Sequence, residues 1–289
     1  MATVEFCRIS RRGFENSFDM RAFQEDMRVL ATRARNLLRA PVRDKEFIAA
    51  DLSITADDYF LTGTLGFAED ETLRSHDEEA FSWVKGPTTD VHGATNQTVV
   101  PFAIDLREHR RWCAHATTGR IRATFFRQAF EAVLNAAVAQ AQLIPSRWEV
   151  DPVMSLSEMT EWLDEHPEVV VVRRVVKLTN PLQDVDEARR KMRALRGTIY
   201  RDLIQAPRDG VLETHNDVFK QHVSGIETGD VLVELEARVP GGRNTYKSEA
   251  HRERTTVRDY GANLQDGMAN VLAVLVDFSE QKGDVVHEE

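Results

Sequence analysis

The stretch EVVVVRRVVKL, Glu168 to Leu178, decides how the chain is read. Four consecutive valines, then two arginines and two further valines, with no glycine or proline, describe a β-strand. Unbroken valine suits a central strand covered on both faces. Burying Val169 to Val172 contributes on the order of 6–8 kcal/mol before entropy. In such a strand Arg173 and Arg174 point to opposite faces, and Lys177 shares the face of Arg173. Asn180-Pro181 ends it.

Downstream, Val185, Ala188, Met192, Leu195, Ile199 and Leu203 recur at intervals of three and four, which predicts a helix over Asp184 to Leu203. Arg189, Arg193 and Arg196 flank that stripe. A short helix near Thr214 to Val223 precedes an alternating strand, Gly229 to Val239. There Val231, Val233, Leu235 and Ala237 face one way and Leu232, Glu234 and Glu236 the other. The turn Pro240 to Arg243 leads into a polar edge strand, Asn244 to Val257. A helix or strand at Asn270 to Phe278 and the acidic tail GDVVHEE follow.

Upstream, Thr3 to Ser10 alternates as a strand. Phe23, Met27, Leu30, Ala34 and Leu37 predict an amphipathic helix from Phe18 to Arg39, stopped by Pro41, with Arg21, Arg28, Arg35 and Arg39 on its far side. Glu46 to Thr55 and Tyr59 to Phe67 read as a hairpin turning near Asp57-Asp58. A polar loop with one short strand, Phe81 to Val84, joins it to strands at Thr98 to Leu106 and Arg110 to Thr117. The helix Ala123 to Ile144 is apolar on most of its circumference, which predicts burial. A short strand at Arg147 to Val153 and an acidic helix at Ser155 to Glu165, with Ser157 as its cap, complete the plan. The expected fold class is α+β, with mixed or antiparallel sheets and packed helices. It is divided into similarly planned halves, 1–150 and 151–289, or runs as one continuous domain.

At 289 residues, 42% hydrophobic and 29% charged, the composition is globular. No apolar run approaches the roughly 20 residues that cross a bilayer, and the N-terminal residues lack the apolar core of a secretory signal. With only Cys7 and Cys113 there is no disulfide framework, so a soluble cytoplasmic protein is expected. The formal charge of −10 argues against a global nucleic-acid binder. The charge is segregated, however. Acidic blocks at Asp51 to Glu79, Glu149 to Glu168 and Asp209 to Glu236 alternate with arginine-rich ones at Arg107 to Arg147 and Arg173 to Arg208.

The functional reading follows from that segregation. Arg173, Arg174, Lys177, Arg189, Arg193 and Arg196 form the expected nucleic-acid-binding or acidic-partner face of a non-enzymatic protein. A planar guanidinium suits phosphate, and a phosphate track needs spaced cations along one surface. The alternatives are a metal-dependent nuclease, with Glu234 and Glu236 as catalytic carboxylates and Mg²⁺ as its cofactor, and an assembly subunit whose opposite charges mate in a homo- or hetero-oligomer. Otherwise no cofactor, metal or membrane partner is expected. His109, Cys113 and His115 share a strand face, but their spacing spans too far for one ion. His215, Asn216, Asp217 and His222 match hydrolase sites in residue type alone. Glycine-rich phosphate loops, GxSxG elbows and CxxC pairs are absent from the sequence. The segments VVRRVVKLTNPLQDVDEARRKM and TVVPFAIDLREHRRW resemble, in cadence, uncharacterised bacterial proteins of phage-defence loci. That resemblance implies an antiviral-defence setting and transfers no functional residue.

Overall fold

The computed structural model describes residues 2–13, 20–32, 38–69, 74–77, 82–85, 96–107, 110–141, 143, 146–177, 187–195, 197, 199–223, 225–257 and 264–283. The first half contains β1 (Ala2–Gly13), α1 (Met20–Thr32), β2 (Arg39–Val42), β3 (Lys45–Ile54) and β4 (Phe60–Glu69). It continues through β5 (Arg74–Asp77), β6 (Ser82–Lys85), β7 (Asn96–Asp105), β8 (Trp112–Ala116), α2 (Ala123–Gln140) and β9 (Ser146–Pro152). Then come α3 (Leu156–Glu165), β10 (Val169–Lys177), α4 (Glu187–Ala194), β11 (Ile199–Gln205) and α5 (Asp217–Val223). The chain closes with β12 (Val231–Val239), β13 (Gly242–Lys247), β14 (Arg254–Val257) and α6 (Leu264–Lys282). The fold is α+β, and every described strand pair is antiparallel.

The larger sheet runs β14-β1-β8-β7-β4-β3-β2, with β9 beside the far half of β1. Both of its faces are covered, and side-chain alternation assigns each residue to a layer. Cys7, Ile9, Phe102, Ile104 and Cys113 point to α1 and α2, where Phe23, Met27, Phe126 and Phe130 meet them. Val4, Phe6, Phe60, Ala103, Trp112 and Ala114 point the other way, to α6, which supplies Val271, Leu275 and Phe278. Phe278 stacks on Phe6 at 4.0 Å and meets Trp112 edge-on at 5.5 Å. Gly66 lets β4 approach β7, since a Cβ there would sit 2.6 Å from the Thr98 carbonyl oxygen.

The smaller sheet runs β11-β10-β12-β13. One face rests on α3, α4 and α5 through Val169, Val172, Val176, Val231, Val233 and Leu235. A bulge between Val169 and Val171 interrupts the register with β12. It turns Val170 and Val171 onto a separate apolar cluster with Ala206 while Val169 and Val172 stay in the main core. All four valines are therefore buried. The strand is nevertheless not covered on both faces along its whole length: Arg173 is exposed and Arg174 buried.

Several elements differ from their sequence reading. The helix expected over Asp184 to Leu203 is short. It stops at Ala194, and Ile199 and Leu203 lie on strand β11. Residues four apart share a face in both geometries, so the spacing did not discriminate; Gly197, between the two elements, favours the break. Pro41 does not end a helix but sits on edge strand β2, where its missing N–H is tolerated, and Arg39 is on that strand too. The α3 cap is Ser155, whose Oγ accepts from the Glu158 N–H at 3.3 Å; Ser157 only bonds to that hydroxyl. The polar segment Asn244 to Val257 divides into β13 in the smaller sheet and β14 in the larger. Because β14 and α6 return to the larger sheet, the two sheets do not divide at residue 150. Ala34, Leu37, Asn180, Pro181 and Val185 lie outside the described residues.

Candidate functional site

The uncovered face of the smaller sheet collects charge from three strands. Arg173 donates from Nη1 to Glu234 Oε1 at 2.8 Å and also to Glu236. Glu236 accepts from Arg243 at 2.7 Å, and Lys247 lies 3.6 Å from Glu234. These contacts form one ladder, Lys247–Glu234–Arg173–Glu236–Arg243. The two guanidinium groups hold the Glu236 carboxyl below its ordinary pKa, and Glu236 holds Arg173 above its own. Register places Arg201 opposite Val175 and Leu203 opposite Arg173 on this same face. Arg201 is exposed, with no carboxylate partner among the described residues. Leu203 and Ile199 are 58% and 50% exposed beside it.

The other expected binding residues do not join that face. Arg174 is buried on the core side, where it donates to Asp202 Oδ2 at 2.8 Å and to the His222 carbonyl at 2.9 Å. Lys177 turns to Asp151 at 2.6 Å. The strand thus does not present Arg173, Arg174 and Lys177 as one unneutralised row: each meets carboxylates of its own. Arg189 and Arg193 are on α4, but their side chains, like all of Arg196, lie outside the described residues.

Glu234 and Glu236 do share a face, but arginine and lysine groups hold both. Cys7 and Cys113 are directly opposite in the β1–β8 register and are buried free thiols. His115 stacks on Phe126 at 3.9 Å, and its burial depresses the ring pKa to about 3. His109 lies outside the described residues. Asn216 is engaged in the first turn of α5, its Oδ1 accepting from the Phe219 N–H at 2.8 Å. Among the described residues, no three His, Cys, Asp or Glu side chains group as metal ligands.

A second site lies where the two sheets meet. A cavity of about 390 Å³ is lined by Thr124, Arg127, Glu131 and Asn135 of α2, Asp151 of β9 and Lys177 of β10, among others. Asn135 braces this wall: it accepts from the Trp148 N–H at 2.8 Å and donates to the Trp148 carbonyl at 2.9 Å. Nearby, Arg8 pairs with Asp230 at 3.4 Å, and Arg252 lies 3.5 Å from Glu5 and donates to Thr124. Arg127 differs from all of these. It makes no hydrogen bond or ion pair with any described residue, and its Nε is enclosed without an acceptor. Burial pulls its pKa below the usual arginine value. One Asp151 oxygen, Oδ2, is likewise enclosed without a donor. The apolar composition of α2 predicts a core helix. The available signal was the polar stripe Arg127, Glu131 and Asn135 at steps of four on an otherwise alanine- and phenylalanine-rich helix.

Comparison with protein-family models, curated proteins and solved structures finds no match to the chain.

Proposed function

We propose that the chain is a non-enzymatic binding protein that takes an acidic partner protein on the uncovered face of its smaller sheet. The observation that supports this is a local reversal of charge. Among the described residues of the four strands, Arg173, Arg201, Arg238, Arg243 and Lys247 share that face with two carboxylates, Glu234 and Glu236, in a chain whose formal charge is −10. Apolar Leu203 and Ile199 beside the cations favour a protein over a bare phosphate backbone. Strand β11 is an edge. The Ala206 N–H bonds to Val170, so the ladder toward β10 uses the even-numbered residues of β11. The amides of Arg201 and Leu203 point outward, available to an added strand. The resemblance in cadence to phage-defence proteins makes a defence complex the setting in which this partner is sought.

The probe is an oligo-glutamate peptide, titrated at several ionic strengths beside single- and double-stranded DNA and RNA. Peptide binding at low salt that weakens as salt rises, and is lost in the double variant Arg201→Glu, Lys247→Glu, is the expected result. Absence of peptide binding, or binding indifferent to the double variant, refutes the proposal. Tighter binding of a nucleic acid, lost in the same variant, reassigns the face to phosphate.

A further inference from the structure

We infer that the cavity between α2, β9 and β10 is a binding site for a small organic oxyanion, a carboxylate- or phosphate-bearing molecule, with Arg127 as its principal contact. It is separate from the sheet face and does not rest on that reading.

The argument is one of charge pairing in a partly dry space. Around the junction, Arg8 has Asp230, Lys177 has Asp151 and Arg252 has Glu5. Among the described residues, Arg127 alone in this group has no carboxylate in contact, and Arg252 adds a repulsive cation to its surroundings. Arg127 is half-buried with its Nε enclosed and unaccepted, and a guanidinium partly withdrawn from water without a counter-ion is costly. The neighbouring turn supports an anion as well. Arg127 is in the second turn of an 18-residue helix whose N-cap, Arg122, supplies no side-chain cap, so the helix's positive end faces the same region. At about 390 Å³ the cavity falls in the range that holds small ligands. Exposed Thr124 and Gln128 mark its entrance.

The far wall limits the class further. Glu131 accepts from the Val150 N–H at 3.3 Å, and Asp151 Oδ2 lacks a donor. Both are acceptors, so the ligand carries hydroxyl or amino donors at the end opposite its anionic group. The fitting class is a small polar metabolite with one oxyanion and a donor-bearing body.

The experiment is a thermal-unfolding titration of the full chain with inorganic phosphate, acetate or serine, against chloride at matched ionic strength. The site predicts that at least one oxyanion raises Tm beyond chloride, with serine, which carries an added amine and hydroxyl, exceeding acetate. The relative size of the phosphate and acetate responses distinguishes the two anion sources. In Arg127→Met the response disappears, while Tm without added oxyanion stays level or rises, because an unpaired cation has been removed. No oxyanion response in the native chain overturns the proposal, as does a response unchanged in the variant. A large loss of Tm in Arg127→Met without ligand leaves the decision to Arg127→Lys. Should the methionine variant not fold, Arg127→Lys takes its place. It retains charge and loses the fork, so a weakened response is expected and an unaltered one overturns the assignment.

Discussion

Arg173 and Arg174 are adjacent and chemically identical, yet they occupy different energetic worlds. Arg173 is in an exposed ladder, so Arg173→Ala should shift stability by less than about 1 kcal/mol. Arg174 is enclosed, with its side chain 7% exposed and Asp202 20% exposed. Arg174→Ala strands Asp202 and the His222 carbonyl, and should cost about 3 kcal/mol. Urea unfolding of the two variants side by side checks the contrast, and equal losses would contradict the assignment of faces. His115 gives a pH prediction. Its ring pKa is about 3 in the folded chain against an ordinary 6.5. The unfolded chain therefore binds the extra proton between those values, and stability falls as pH drops from about 6.5 towards 3. His115→Phe keeps an aromatic ring against Phe126 and removes that proton. The acid limb of its urea midpoint should flatten, by at most about 1.4 kcal/mol per pH unit.

Among the elements, those whose pattern had one geometric solution were legible. β12 alternates cleanly, α2 is apolar over most of its surface, and the β3–β4 hairpin is marked by Asp57 and Asp58, all as the residues imply. Ile199 and Leu203 were ambiguous because a step of four preserves a face in helix and strand alike. The cation patch was legible only in composition. That Arg173 meets Glu234 is a matter of register between β10 and β12, which no single strand encodes. Arg127 was overlooked for the opposite reason: its apolar neighbours in α2 are plain in the sequence, while its lack of a counter-ion exists only in three dimensions. Close strand approach supplies a prediction at this scale. Gly66→Ala drives a Cβ to 2.6 Å from the Thr98 carbonyl oxygen on the neighbouring strand. The backbone must shift, so a loss of about 1–3 kcal/mol is expected in the same denaturant assay.

At the scale of the whole molecule, the larger sheet is assembled from distant parts of the chain. Ala2 pairs with Val257, and α6 covers the face carrying Phe6, Trp112 and Ala114. A fragment of residues 1–150 leaves that apolar face bare, so it should lack the dispersed amide spectrum of a folded protein and should associate in solution. The full chain should show both sheets unfolding in one transition, held together by Arg8–Asp230 and Lys177–Asp151. A well-dispersed spectrum from the fragment would show that the larger sheet closes without its late strand.

That late strand also sets a schedule during synthesis. Between the emergence of β8 and that of β14 the ribosome adds the whole smaller sheet, an interval on the order of 10 s at ordinary elongation speeds. Through that interval Trp112 and Phe6 wait for α6, so the nascent chain offers a hydrophobic surface to any chaperone near the exit tunnel.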